Sequence, residues 1–235
     1  MRNFLTYNNK DSTDFNVWIS GSGTFDAPGR DVEMIAVDGR NGDLTVDNGR
    51  FKNIDVEYPA FISHDFKDNF DAFRAFLLSH KGYQRLEDTY HPEEFRMGIY
   101  KDAIKPSVKT LNRAGEFTLT FHCKPQRFLK IGEEKLTFSA DATLNNPTLY
   151  AALPLVRVYG TGTVGIGENS IEILSADEYT DIDCYIQDAF KGSTNCNSNI
   201  RLLSESFFSL EPGINGIQLG AGITSIEIVP RWWTI

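Results

Sequence analysis

The sequence predicts a mainly β protein with one α-helix, divided into two domains. Apolar and polar residues alternate along most of the chain, which is the pattern of half-buried strands. A single stripe of phenylalanines has helical spacing, and beyond Lys130 no helical pattern appears. We therefore predict an N-terminal β domain with one helix over residues 1–138 and a C-terminal β-sandwich over residues 139–235.

The clearest strand is Phe117–Cys123. Phe117, Leu119, Phe121 and Cys123 alternate with polar residues. Because successive side chains of a strand point to opposite faces, these four share one face. We predict that this face is buried and that the other is wet or interfacial.

The segment from Ile35 to Tyr58 is rich in hairpin turn signals. Asn-Gly and Asp-Gly pairs adopt positive φ readily and favour tight turns between strands. The pairs are Asp38-Gly39, Asn41-Gly42 and Asn48-Gly49, and the predicted strands are Met34–Val37, Asp43–Val46 and Ile54–Tyr58. This segment has little core of its own, so we expect it to lie against something else, such as a neighbouring subunit.

One helix is predicted from about Lys67 to Ser79. Its apolar stripe consists of Phe66, Phe70, Phe73 and Leu77, which lie on one side at 3.6 residues per turn. Ser63 or Asp65 is the expected cap, His80-Lys81 suits the last turn, and Gly82 ends the helix. We expect the stripe to pack against a sheet.

The second half begins with a small, polar, turn-rich stretch, Ser139–Thr148, which we interpret as a linker. Short alternating runs then follow between Gly-rich turns, as in a small β-sandwich. The clearest are Leu155–Tyr159, Ser170–Leu174, Asp181–Ile186 and Ser225–Val229.

Composition excludes several function classes. A net charge of -9 and a pI near 5.0 argue against a nucleic-acid surface and against an anchor on anionic lipid. Such acidity suits solubility, or the wall of a channel that DNA passes without sticking. The 3 cysteines show no CxxC pairing, which favours free thiols made in a reducing cytoplasm. No signal peptide or membrane span is expected.

Residues that could carry chemistry form no convincing site. Gly160–Gly165 matches GxGxxG, but a dinucleotide site needs a helix there and strand alternation follows instead. The 4 histidines have no ligand spacing, and His122 and Cys123 should point to opposite faces of a strand. Asp181 and Asp183 share a face and could do acid–base work or hold a cation, although a solvated acidic face is commoner. We predict no catalytic, metal or cofactor residues and no enzymatic activity.

Two tryptophans, Trp232 and Trp233, lie close to the C-terminus. Chain ends usually fray, so large aromatic residues there indicate an end that is tied down. Packing within its own domain is favoured over packing on a partner.

Short turn-rich segments follow one another in order along nearly the whole chain. In the first half they are Pro28-Gly29-Arg30-Asp31, Val37–Leu44, Gly82–Glu93 and Phe121-His122-Cys123-Lys124-Pro125. In the second half they are Asn146-Pro147-Thr148, Pro154–Gly160, Pro212–Ile217 and Pro230-Arg231-Trp232. Each is a weak motif, but the ordered set resembles the distal tail proteins of long, flexible-tailed phages and related prophages.

This resemblance implies a fold, an assembly and partners. It implies a first domain related to tail-tube proteins, which forms a hexameric ring around a channel for DNA, and a galectin-like β-sandwich as the second. The implied partners are further copies of the chain, the major tail tube protein, the tape measure protein, and the tail-associated lysin, tail fibre or receptor-binding proteins. The implied location is the baseplate of the virion, after synthesis in the bacterial cytoplasm.

Two other functions remain open from the residues alone. An all-β second half could place aromatic side chains under a sugar ring, which would make it a carbohydrate-binding module for a host-surface saccharide. A cell-wall or tail-fibre-processing hydrolase is the other function; we identify no catalytic residues for it, and peptidoglycan activity that is lost on changing Asp181 or Asp183 would favour it. We predict a structural hub ahead of both.

Overall fold

The structure is a computed structural model that describes residues 2–21, 24–109, 111 and 113–235. The chain divides into two compact units, residues 1–127 together with Ile235, and residues 128–234. The division lies earlier than the predicted boundary after residue 138. Leu129, Leu136 and Phe138 all pack against the second core, so residues 128–138 belong to the second unit.

The first unit contains one α-helix and ten strands among its described residues. The strands are β1 Leu5–Tyr7, β2 Lys10–Asp11, β3 Val17–Ile19, β4 Arg30–Ile35, β5 Leu44–Phe51, β6 Ile54–Ile62, β7 Gln84–Asp88, β8 Glu94–Tyr100, β9 Ser107–Lys109 and β10 Ala114–Leu129. Helix α1 spans Phe66–Ser79, and a 3-10 helix spans Ser12–Phe15. The main sheet has the order β2-β1-β7-β8-β10-β6-β3, and β9 also pairs with β10.

Helix α1 and one face of this sheet form the first core. The buried helical residues are Phe66, Phe70, Phe73 and Leu77, the stripe that the sequence predicts. Strand β10 contributes Phe117, Leu119, Phe121 and Cys123, which are 0–5% exposed. Both periodicity predictions are confirmed, because each apolar set lies on the face that packs into this core.

The predicted start of the helix is only partly right. Asp65 occupies the N-cap position, but its backbone is left-handed (φ 49°) and its side chain makes no capping hydrogen bond. Ser63 hydrogen-bonds to the His64 ring instead of capping the helix. The backbone N–H of Phe66 is satisfied by the carbonyl of Arg113 at 3.3 Å.

Strands β4 and β5 form a separate two-stranded sheet. Asp38-Gly39 and Asn41-Gly42 lie in the connection between them, as the turn signals predict. The prediction of a turn at Asn48-Gly49 is wrong, because both residues lie inside β5. The ladder shifts register between Arg30 and Val32, and Gly49, with φ 68°, lies in the resulting bulge.

The second unit is a β-sandwich. Its strands are β11 Leu136–Phe138, β12 Ala142–Asn146, β13 Leu155–Gly160, β14 Gly162–Ile166, β15 Asn169–Ile173, β16 Tyr179–Asp183, β17 Asp188–Lys191, β18 Thr194–Asn195, β19 Ile200–Leu202, β20 Gly213–Leu219, β21 Ile223–Val229 and β22 Trp233–Thr234. Two 3-10 helices span Lys130–Glu133 and Asn197–Asn199. One sheet has the order β11-β21-β13-β16-β17-β18 and the other β12-β20-β14-β15-β19. Both sheets contribute to a single core.

The linker predicted at Ser139–Thr148 is wrong. Five of its residues form β12, which pairs with β20 from Ala142↔Ile217 to Asn146↔Gly213. The Asn146 side chain is 2% exposed and donates from Nδ2 to the carbonyls of Tyr150 and Leu210, both at 2.9 Å. Small polar residues here form hydrogen bonds with buried backbone groups. Their composition is the same as that of a flexible linker, so composition alone does not distinguish the two.

The predicted fold class, mainly β with one α-helix and a sandwich in the second half, is confirmed. Among the residues described, no helix is both long and apolar enough to span a bilayer.

Candidate assembly surface and buried charges

The β4–β5 hairpin has two distinct faces. Residues opposite one another in an antiparallel ladder share a face. The register therefore places Glu33, Ile35, Leu44 and Val46 on one face, and Val32, Met34, Thr45 and Asp47 on the other. We name the first group, which has three apolar side chains, the apolar hairpin face.

The apolar hairpin face is exposed to solvent. Ile35 and Leu44 are each 41% exposed and Val46 is 44% exposed, and on the opposite face Met34 is 58% exposed. The described residues of β4 and β5 include no fully buried side chain. Neighbouring exposed apolar side chains of this kind make the face a candidate contact site. This exposure matches the expected lack of a core for the hairpin itself, whereas Val56 and Tyr58, at the end of the Ile35–Tyr58 segment, are each 1% exposed and belong to the first core.

Ion pairs hold the base of the hairpin. Asp31 accepts a hydrogen bond from Arg50 Nε at 2.7 Å and lies 3.5 Å from Lys52 Nζ. The hydrogen bond from Arg50 lowers the pKa of Asp31. Arg30 lies 5.0 Å from the ring centre of Phe51 and 3.5 Å from Asp47. These contacts set the hairpin's conformation without burying it.

The two carboxylates considered for catalysis are each bound by an arginine. Asp181 is 5% exposed and accepts hydrogen bonds from Arg157 Nε at 2.7 Å and Nη2 at 2.9 Å. Asp183 receives Arg231 Nη1 at 2.7 Å and Nη2 at 2.8 Å. Both arrangements are bidentate. The hydrogen bonds that Arg157 donates to Asp181 raise the pKa of Arg157. Both carboxylates therefore form structural ion pairs with arginines. The sequence had favoured a solvated acidic face instead.

The Gly160–Gly165 motif forms strand structure. Gly160 ends β13, and β14 begins at Gly162 and returns to β15. A Cβ on Gly160 would lie 2.2 Å from the carbonyl oxygen of Gly222. The glycines therefore serve close backbone packing, and the prediction that no nucleotide-binding helix starts here is confirmed.

His122 and Cys123 point to opposite faces of β10, as strand geometry predicts. The His122 side chain is 30% exposed and its Nδ1 lies 2.6 Å from Asp55 Oδ1, whereas Cys123 is 0% exposed. Burial raises the pKa of Cys123 and of Cys184 to about 12, so neither thiol ionises readily. All 3 cysteines are free. In the part of the chain that the structure describes, no group of three or more potential metal ligands occurs.

The C-terminal tryptophans pack within the second unit. Trp232 is 4% exposed and belongs to the second core. Trp233 stacks on Tyr150 at 4.5 Å and donates from Nε1 to the carbonyl of Ala151 at 2.9 Å. The own-domain interpretation is confirmed.

One buried charge was not singled out by the sequence. Arg96 in β8 is 7% exposed, and its Nη1 atom has no hydrogen-bond partner. A buried guanidinium without an ion pair is costly, so this residue is a second candidate site in the first unit.

Solved structures of phage hub and baseplate proteins have a similar fold. The chain superposes on the Dit protein (gp 19.1) of phage SPP1, described as a paradigm of the hub adsorption apparatus in phages that infect Gram-positive bacteria. The TM-score is 0.74, the identity is 12%, and the match covers 100% of both chains. No protein-family model matches the sequence, and neither does any curated protein.

Two structures of the phage P2 baseplate in its activated conformation also match. The one with calcium has a TM-score of 0.52 and 11% identity over 97% of each chain. The one with strontium has a TM-score of 0.52 and 12% identity over 96% of this chain and 97% of the other. The chain therefore has the fold of a phage tail hub protein along its length, and the resemblance to distal tail proteins is confirmed at the level of fold.

Proposed function

We propose that this chain is a structural distal tail protein of a phage or prophage, a hub that joins the tail tube to the baseplate proteins of the tail tip. The observation that carries the proposal is the end-to-end match to the SPP1 hub protein, which covers 100% of both chains. Fold alone does not determine function. Here, however, both units match in order within one protein, and the first unit has an exposed apolar hairpin that suits assembly.

The proposed assembly is a hexameric ring of identical chains with a central channel for DNA. Cyclic rings form when one surface of a subunit binds a different surface of the next. The apolar hairpin face is the proposed surface, because Ile35, Leu44 and Val46 are 41–44% exposed. The proposed further partners are the tail tube protein, the tape measure protein, and the lysin, fibre or receptor-binding proteins of the tail tip.

Imaging of the purified full chain at high concentration tests the ring. We expect closed particles with six-fold symmetry and a central hole in negative-stain electron micrographs. Open filaments, or particles of another symmetry, would overturn the hexameric ring.

A pair of neighbouring substitutions tests the role of the hairpin. Leu44 and Thr45 are adjacent exposed residues of β5 on opposite faces. Leu44→Lys places a charge on the apolar hairpin face. It should raise the protein concentration needed for ring formation at least tenfold. Thr45→Lys places the same charge on the other face and serves as the control.

Equal effects of the two substitutions would show that the apolar hairpin face has no special part in assembly. Deletion of Asp38–Asp47 is the stronger version of the test. Rings that remain intact after this deletion would contradict the proposal that the hairpin forms the subunit contacts.

A further inference from the structure

Three asparagines of this chain are followed directly by glycine. They are Asn41, Asn48 and Asn215. In such a pair, the backbone nitrogen of the glycine can attack the side-chain amide carbon of the asparagine, because glycine has no Cβ to obstruct the approach. The attack requires freedom of both the backbone and the side chain, so the folded structure determines which of the three pairs can react.

The pair at Asn215 is fixed within the second unit. Asn215 is 2% exposed, and its Nδ2 donates to the carbonyls of Glu211 at 2.8 Å and Gly213 at 3.0 Å. Its Oδ1 accepts a hydrogen bond from the backbone N–H of Glu211 at 2.9 Å. Both residues of the pair lie within β20, where Gly216 is opposite Thr143 of β12. Attack by the Gly216 nitrogen would require these contacts to break.

The pair at Asn48 is held by the hairpin ladder. Asn48 and Gly49 lie within β5, which pairs with β4. The backbone N–H of Gly49 donates to Asp47 Oδ1 at 2.8 Å, so the nitrogen that would attack is already engaged. Reaction at this pair therefore requires the hairpin to open locally.

The pair at Asn41 is free of such restraints. Asn41 and Gly42 are exposed in the connection between β4 and β5, residues 36–43. Gly42 has φ 81°, and a Cβ added to it would have nothing within 4 Å. Neither the Asn41 side chain nor the Gly42 N–H makes a hydrogen bond to any residue that the structure describes. The Gly42 nitrogen and the Asn41 amide carbon can therefore meet without disrupting the fold.

We propose that Asn41 is a covalent modification site, at which the folded chain deamidates itself. The Gly42 nitrogen loses its proton and bonds to Asn41 Cγ, and the side-chain nitrogen leaves as ammonia, so that a cyclic succinimide forms. One water then adds to either carbonyl of this ring and opens it. Opening at Cγ gives aspartate, and opening at the backbone carbonyl gives isoaspartate, in which the chain continues through the side-chain carboxyl. Water is the co-reactant, and nothing is oxidised or reduced.

Either product adds a negative charge to the hairpin connection. Asp38 and Asp43 already lie there, with Arg40 as the one cation of residues 36–43. The consequence for assembly rests on the proposed function: a further charge next to the apolar hairpin face should raise the protein concentration needed for ring formation. The reaction itself takes place within one chain. Its measurement therefore succeeds or fails independently of whether the chain forms a ring.

Peptide mass spectrometry of the full chain, aged in dilute and mildly alkaline solution, tests the site. Deamidation replaces an amide by a carboxylic acid, which changes the mass of the peptide that contains it. We expect Asn41 to react at least about tenfold faster than Asn215, with Asn48 between them, because the latter two pairs react only after local opening. A rate at Asn41 that is no higher than the rate at Asn215 would overturn the proposal.

Two controls separate the effect of the fold from that of local sequence. In guanidinium chloride the three pairs should react at rates within about threefold of one another, because the unfolded chain restrains none of them. A tenfold difference that persists in the unfolded chain would overturn the structural explanation. Asn41→Gln retains the amide but cyclises far more slowly. Ion-exchange chromatography should show an acidic form that accumulates in the unaltered protein and not in this variant, and equal accumulation in both would contradict the assignment to Asn41.

Discussion

The β4–β5 hairpin and the β13–β21 strand pair are built from the same kind of sequence but end in opposite environments. Both are antiparallel ladders with apolar residues at alternate positions. In the second, Val156 and Val158 are 0% exposed, as are their partners on β21. In the first, the corresponding valine, Val46, is 44% exposed. Local pattern thus specifies a strand and its apolar face, but not what covers that face.

The treatment of charge differs in the same way. In the second unit, Asp181 and Asp183 each have a bidentate arginine. In the first unit, Arg96 is buried without a counter-ion among the described residues. The β13–β21 ladder and these two aspartates thus have their partners within the chain, whereas the apolar hairpin face is exposed and Arg96 has no counter-ion among the described residues.

The largest expected effect comes from placing the same charge in both ladders. Val158→Lys buries an unpaired ammonium in the sandwich core and should cost more than about 4 kcal/mol, enough to unfold the second unit. Val46→Lys should change the free energy of unfolding by less than about 0.5 kcal/mol, because its side chain is already wet. Urea denaturation measures both. A large loss for Val46→Lys would show that the hairpin is stabilised within its own chain.

A smaller difference is expected between two glycines with positive φ. Gly160 has φ 99°, and an added Cβ would lie 2.2 Å from a backbone oxygen, so Gly160→Ala should cost about 3 kcal/mol. Gly49 has φ 68° and nothing within 4 Å of an added Cβ. Gly49→Ala should cost only the left-handed strain, about 1 kcal/mol. Equal losses would mean that the β5 bulge is as tightly packed as the sandwich.

The smallest effect concerns acid stability. Burial acts to raise the pKa of Asp183, but the hydrogen bonds and charge of Arg231 outweigh it, and the pKa lies below the ordinary value of 3.8. A lowered pKa stabilises the folded state above about pH 4, and this contribution is lost as the pH falls through the folded-state pKa. Asp183→Asn should therefore cost about 1–2 kcal/mol at pH 7.

The pH dependence supplies the control for that prediction. The free energies of unfolding of Asp183→Asn and the unaltered protein should converge below pH 4, as followed by urea denaturation across pH. Asp71→Asn, in the exposed ion pair with Arg74 on helix α1, should leave the acid midpoint unchanged. A constant difference between Asp183→Asn and the unaltered protein down to pH 2 would show that the ion pair with Arg231 contributes nothing.

Secondary structure and buried face are predicted best where a long periodic pattern packs into one core. The stripe of Phe66, Phe70, Phe73 and Leu77 and the alternation of β10 are such cases. Short polar segments were misread. Asn48-Gly49 forms a bulge in a strand instead of a turn, and Asn146 is buried in a strand edge instead of exposed in a linker. Turn-forming residues occur both in turns or linkers and in bulges or buried strand ends. Tertiary hydrogen bonds determine which of these forms.

Arg96 was missed for a different reason. In β8 the apolar residues Phe95, Met97 and Ile99 alternate with Arg96, which predicts an outward-facing arginine. The structure has the reverse, because Arg96 and Tyr100 face the core and the three apolar residues are half-buried on the other face. When both faces of a sheet carry apolar residues, the alternation in a strand's sequence does not identify which face is buried.

The most direct test of the central claim, that the first unit completes itself by binding further copies of the chain, is the solution mass of the purified full chain. Light scattering across a concentration series gives this mass without a surface or stain. We predict a mass that rises with concentration from one chain, 26.5 kDa, to a plateau at six chains, and a Leu44→Lys variant that stays below it. A mass that remains that of one chain at the highest concentration would contradict the claim.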